Sequence, residues 1–143
     1  MFIGEYRHNL DEKNRIIIPV KYRDELGDTF IVTKGLDGCL TIYTQNQWEL
    51  IFEQIKKLPN TKRETRLYIH MLTSKAVECG FDKSGRIQLP SHLIKEAKLV
   101  KECVIVGVSD HVEIWADTLW DEYCAAASGS FEDIAENLTE YLV

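Results

Sequence analysis

The nonapeptide Asp11-Glu12-Lys13-Asn14-Arg15-Ile16-Ile17-Ile18-Pro19 returns 71 residues later as Asp82-Lys83-Ser84-Gly85-Arg86-Ile87-Gln88-Leu89-Pro90. Asp, Arg, Ile and Pro fall on Asp, Arg, Ile and Pro. Each copy has the same grammar: a polar turn, an Arg, a short apolar strand, then a Pro that opens the next element. The match goes further. Leu40-Thr41-Ile42-Tyr43 precedes Val112-Glu113-Ile114-Trp115 by 72 residues, and Trp48 precedes Trp120 by 72, so one residue has been inserted between the two blocks. Two copies are too few for a stacked solenoid. They suit a pair of units related by a pseudo-twofold axis.

Within each copy the pattern reads β-turn-β-α-β-turn-β followed by a helix. In the first, residues 2–8 alternate as a strand, 9–14 turn, and Arg15 to Ile18 form a second strand. Asn14 holds the place of Gly85, and both residue types reach positive φ easily, so each turn is expected to need a left-handed residue just before its Arg. Pro19 opens a short helix over Val20 to Leu26, ended by Gly27. Strands over 29–34 and 39–43 flank a turn. Thr44 and Gln47 have capping-box spacing for a helix to about Leu58, with Trp48, Ile51, Phe52, Ile55 and Leu58 on one face. A second helix, Thr61 to Ser74, carries Leu67, Tyr68, Met71 and Leu72 on one side. The second copy repeats the plan: strands at 75–81 and 86–89, a helix over 90–98, and a hairpin of 102–108 with 111–115. Asp117 is expected to cap the helix that follows. A last acidic helix, 131–142, bears the apolar stripe Phe131, Ile134, Leu138 and Tyr141, which should cover a neighbour or the chain's own core.

The expected fold is therefore α+β: one compact domain, 1–143, of two repeats (5–47 and 76–119), connecting helices (48–75) and an acidic helical tail (120–143). One repeat has too little core to stand alone, and two interleaving their hairpins would bury both. No apolar run approaches the roughly 18 residues of a membrane span, and the N-terminus has no basic-then-apolar leader. A cytoplasmic location is expected. The four cysteines, Cys39, Cys79, Cys103 and Cys124, form no Cys-x-x-Cys pair and are expected to be small buried side chains. The histidines are scattered, so no metal site is expected.

The net charge of −6 argues at first against nucleic acid, but its distribution does not. Residues 56–101 hold eleven basic and four acidic side chains, whereas residues 102–143 hold ten acidic and no basic ones. Such asymmetry points to a segregated surface with one face toward an anionic partner, or more plainly to a basic helix and a solvated acidic tail.

The chemistry sits in the paired turns. An Asp four residues before an Arg can accept the turn's backbone N–H groups and also pair with the Arg, aiming its five-donor fork. That fork suits phosphate oxygens or the O6/N7 edge of guanine, and a two-stranded ribbon fits the major groove. Asp11 and Asp82 are thus candidate orienting residues. Lys13, Asn14, Arg15, Lys83, Ser84, Gly85 and Arg86 are candidate DNA contacts, with Arg7 and His8 as secondary ones. Two other readings stay open. The turns could merely lock their hairpins within a non-DNA-binding oligomeric scaffold. The two Asp could instead form a carboxylate dyad, although each has a basic neighbour that lowers its pKa and does not split the pair.

At these same residues, with Met1-Phe2-Ile3-Gly4-Glu5-Tyr6-Arg7-His8-Asn9-Leu10 before the first turn and Phe81 before the second, the chain resembles the bacterial MraZ family over essentially its whole length. The resemblance implies two tandem AbrB-like swapped-hairpin units, packed as a short-stranded β-barrel pseudo-dimer. It implies ring-shaped homo-oligomers that bind double-stranded DNA at short direct repeats upstream of the division and cell-wall gene cluster, which opens with the regulator's own gene. It implies a nucleoid-associated transcriptional regulator, not an enzyme, with no cofactor, no membrane partner and no small-molecule substrate. It makes Arg15 and Arg86 the principal DNA contacts, with Lys13 matching the motif's Lys. Two positions depart from the family's Asp-x-Lys-Gly-Arg. Asn14 replaces the Gly, and Ser84 replaces the Lys, so the second turn is expected to bind more weakly or to read a different base.

Overall fold

The computed structural model describes residues 1–142. In the first repeat β1 (Glu5–Asn9) and β2 (Arg15–Ile17) flank the polar turn, α1 (Val20–Leu26) follows Pro19, and β3 (Phe30–Lys34) and β4 (Leu40–Thr44) make a hairpin. Two helices, α2 (Gln45–Ile55) and α3 (Arg63–Ser74), connect to the second repeat. There β5 (Val77–Cys79), β6 (Arg86–Gln88), α4 (Ser91–Glu96), β7 (Glu102–Val108) and β8 (His111–Ala116) take the same order. The chain ends with α5 (Asp117–Ala127), α6 (Phe131–Asn137) and a 3₁₀ turn over Thr139–Tyr141. Pro19 and Pro90 stand immediately before their helices, where a fixed φ and a missing N–H cost nothing. Gly27, at φ 81°, ends α1. Thr44 caps α2, its Oγ1 accepting the Gln47 N–H at 3.0 Å.

The architecture is α+β, and the repeats exchange strands. An antiparallel six-stranded sheet runs β1-β7-β8-β4-β3-β5, and β2 pairs with β6 in a separate two-stranded ribbon. So β1 pairs with the other repeat's β7, and β5 with the other repeat's β3. The register locates the symmetry. Ile16 lies opposite Ile87, and Thr41 lies opposite Glu113. Each is paired with its own repeat counterpart, which in an antiparallel ladder places a local twofold between them. The counterparts Tyr6 and Val77 pair with Ile105 and Val32, which are 73 residues apart. The single net insertion is thus two extra residues before β7 and one fewer in the β7–β8 hairpin.

The core straddles this axis. Ile16, Ile18, Ile87 and Leu89 from the ribbon pack with Phe30, Leu40, Ile42, Ile105 and Ile114 from the sheet, all of them buried. Neither repeat encloses these side chains by itself, because each contributes one strand of the ribbon and strands on both sides of the sheet's centre. At roughly 1.5–3 kcal/mol per large aliphatic side chain fully buried, the shared core is the principal stabilising term.

Several expectations need correction. Asp117 is not the cap of α5 but its first residue. The strand β8 runs on to Ala116, which takes the cap position without a side-chain acceptor, while Asp117 Oδ1 accepts the Thr118 N–H at 2.8 Å. Helix α2 stops at Ile55, and of its apolar face only Ile55 is buried; Leu58 lies beyond the helix and is exposed. On α3 only Leu72 of the apolar side is buried, and Leu67, Tyr68 and Met71 are exposed. The stripe Phe131, Ile134, Leu138 and Tyr141 is exposed, covering no core of its own chain. Cys39 and Cys103 are buried as expected, but Cys124 is exposed on α5. No helix among the described residues is long and apolar enough to cross a membrane.

Candidate nucleic-acid interface

The two turns are built alike. Asp11 Oδ1 accepts the backbone N–H of Lys13 at 2.8 Å and of Arg15 at 2.9 Å, and Oδ2 accepts Arg15 Nε–H at 2.7 Å. Asp82 Oδ1 accepts the N–H of Ser84 and of Arg86, both at 2.9 Å, and Oδ2 accepts Arg86 Nε–H at 2.8 Å. Backbone bonds close each loop from the other side, Asp11 N–H to Arg15 O and Asp82 N–H to Arg86 O, both 2.9 Å. The left-handed residue falls where the sequence places it, Asn14 at φ 61° and Gly85 at φ 76°. Asn tolerates this region and Gly occupies it freely.

Each carboxyl is held below the ordinary aspartate range. The first cause is the backbone N–H of the Arg, then the Arg side-chain hydrogen bond, then the second backbone N–H, with burial opposing them. Both shifts run the same way. A dyad sharing one proton would need one carboxyl raised, so the turns are not an acid–base pair. Their geometry instead presents two arginines, each fixed through Nε by the carboxylate of its own turn.

The ribbon brings the turns together. Ile18 N–H donates to Gly85 O at 3.1 Å and Leu89 N–H to Asn14 O at 2.9 Å, a pair of counterpart bonds across the seam. Gln88 Nε2 donates to Lys13 O at 2.9 Å, tying one turn to the strand that leaves the other. Glu12, Lys13, Lys83 and Ser84 are exposed at the tips, and Arg15 and Arg86 are half-buried at their bases. Among the described residues no group of His, Cys, Asp and Glu could hold a metal ion.

Arg7 and His8 are not brought to the turns. Arg7 Nη2 pairs with Asp121 of α5 at 2.9 Å and lies 3.6 Å from Glu5, and His8 lies half-buried on β1 opposite Cys103. One residue that motif reasoning passes over does reach a turn. Arg23, on α1, lies against Gly85, where an added β-carbon would overlap its guanidinium carbon. The sequence marks it only by a difference between the repeats, Ile94 standing 71 residues on from Arg23, which does not say what Arg23 meets.

The model of the MraZ protein family matches residues 1–69 and again residues 72–141, one match to each half. The chain belongs to the MraZ family. A protein of Carboxydothermus hydrogenoformans is 49% identical over 143 residues, covering 100% of both chains. One from Desulforamulus reducens is 50% identical over 142 residues, 99% of this chain and 100% of its own. One from Ligilactobacillus salivarius is 47% identical over 141 residues, 99% of each. All three bear the name transcriptional regulator MraZ, and none is named as an enzyme.

Proposed function

We propose that this MraZ chain is a sequence-specific DNA-binding transcriptional regulator, with the paired turns as its reading head. The observation that carries this reading is the duplicated Asp–Arg clamp: two arginines, each aimed by a carboxylate and a left-handed turn, side by side on one ribbon. Arg15 and Arg86 read base edges or phosphates, and Lys13, Asn14, Lys83, Ser84 and Gly85 shape or flank the contact. Asp11 and Asp82 orient. The names of the full-length relatives support a regulator. The strand exchange between repeats supports the finer reading of AbrB-like swapped-hairpin units.

The operator follows from the family resemblance: short direct repeats upstream of the division and cell-wall genes, the chain's own gene included, read at the nucleoid in the cytoplasm. So does assembly as a ring. Two exposed apolar surfaces, one in the helices that connect the repeats and one in the C-terminal segment, are consistent with a head-to-tail ring. One is the α6 stripe. The other is a cavity of about 350 Å³ beside α3, lined by Leu36, Tyr43, Leu67, Tyr68 and Met71. Charge favours their meeting, since 56–66 is basic and 131–142 acidic. Heterologous contacts of this kind close into rings when the rotation allows.

The deciding experiment is an electrophoretic titration of the upstream duplex over a salt series. Affinity should fall steeply with salt through phosphate contacts. Arg15→Ala and Arg86→Ala should each cost about 1–3 kcal/mol where a guanine edge is read, with folding retained. Unchanged binding in both variants would leave the turns as structural locks.

A further inference from the structure

The two turns place their lysines differently, Lys13 in the first and Lys83 one position earlier in the second. Lys13 stands two residues before Arg15, whereas the residue two before Arg86 is Ser84. The fold brings the second turn a further cation from elsewhere. Arg23 belongs to α1 of the first repeat, yet it lies on the turn of the second. Its Nε–H donates to Ile18 O at 2.7 Å, and the Ile18 N–H donates to Gly85 O at 3.1 Å, so one residue links the arginine to the turn. A β-carbon at position 85 would overlap Arg23 Cζ and Nη1. That cover is why Gly85 is buried although it sits in a polar turn. The counterpart of Arg23 is Ile94, so α4 holds no arginine where α1 holds Arg23.

A guanidinium has five N–H donors in a rigid fork. Arg23 commits Nε–H to Ile18, and its terminal nitrogens make no hydrogen bond or ion pair among the described residues. An arginine held at Nε is the arrangement that both turn arginines show. Planar and weakly hydrated, such a fork suits a phosphate oxygen.

We infer that Arg23 is a DNA-backbone contact of the second turn, adding a cation there to Lys83 and Arg86. The inference rests on the DNA-binding reading above. Its consequence is that the second turn adds to its own Lys83 and Arg86 a cation from a helix of the opposite repeat, whereas the first carries Lys13 and Arg15.

The test uses the full chain, a duplex from upstream of its gene and a scrambled duplex of equal length, across a salt series, with thermal midpoints in parallel. Arg23→Gln removes the charge but keeps a donor; Arg23→Lys keeps the charge. Arg23→Gln should weaken binding to both duplexes alike and lower the slope of log affinity against log salt by about one. Arg23→Lys should keep the slope, and Ser84→Lys added to Arg23→Gln should restore it. An unchanged slope in Arg23→Gln overturns the inference. So does a loss of affinity that follows a lowered thermal midpoint and is not recovered by Ser84→Lys, since packing alone would produce it. If the unaltered chain binds neither duplex at low salt, the DNA-binding reading fails and the inference with it.

Discussion

Arg86 Nη1 lies 3.7 Å from Asp11 Oδ2, so the arginine clamped by the second turn also leans on the carboxylate of the first. The two carboxylates are therefore not equivalent. Asp11 serves Arg15 directly and Arg86 across the seam, while among the described residues Asp82 makes its ion pair only with Arg86. Asp11→Asn is expected to disturb both arginines, and Asp82→Asn mainly one. Titrations of operator DNA should show a larger loss for Asp11→Asn. A double-mutant cycle between Asp11→Asn and Arg86→Ala should show coupling, with the single effects failing to add. Additivity would mean that the 3.7 Å approach has no energetic content.

The same carboxylates set a pH limit. Both are lowered in the folded chain, chiefly by the Arg backbone N–H, so the unfolded chain binds their protons first. Stability from a depressed carboxyl is fully present above the unfolded value and is lost as pH falls through the folded one. The clamps should thus be intact at neutral pH and loosen only in acid below the ordinary aspartate range, near pH 4. The Nε–H resonances of Arg15 and Arg86 in the free protein report this directly. A change in them between pH 7 and 5 would contradict the assigned hydrogen bonds.

Gly85 offers a third test, because two separate costs meet there. At φ 76° an L side chain is strained by about 1–2 kcal/mol, and a β-carbon also collides with Arg23. Gly85→Ala should lower the thermal midpoint, and adding Arg23→Ala should recover the part due to collision. Asn14→Gly, at φ 61° and already occupied by a side chain, should leave stability unchanged or slightly raised. Equal destabilisation by Gly85→Ala with and without Arg23 would remove the steric account.

What could be read from the chain was what is local. Every bond of the Asp11 and Asp82 clamps joins residues no more than four apart, so spacing alone exposed them. The left-handed Asn14 and Gly85, the Thr44 cap and the Ser109-Asp110 hairpin were legible for the same reason. Arg23 was not, because its role depends on strand exchange setting α1 of one repeat over the turn of the other. Nor was the solvent exposure of Leu67, Tyr68 and Met71: periodicity marks an apolar helix face but does not say what covers it. Asp117 shows a third limit, since its good capping chemistry lost to a strand that ran one residue too far.

The last prediction joins assembly to the operator. Ile134 on α6 and Leu138 just after it are exposed, so charging them should spare the fold of the single chain and strike only contacts between copies. Ile134→Asp with Leu138→Asp should keep the circular dichroism spectrum and reduce the particle size seen by light scattering. If copies in a ring present their turns along one face, successive DNA repeats must lie on one side of the duplex. One helical turn is about 10 base pairs. Inserting about 5 base pairs between repeats rotates one site to the far side and should lower affinity sharply, while inserting about 10 should restore part of it. The α6 variant, reduced to single copies, should bind weakly and lose its sensitivity to spacing, since it no longer bridges two repeats. Affinity of the unaltered chain that ignores the 5-base-pair insertion would refute the shared-face arrangement, and an α6 variant of unchanged size would move the subunit contact away from that helix.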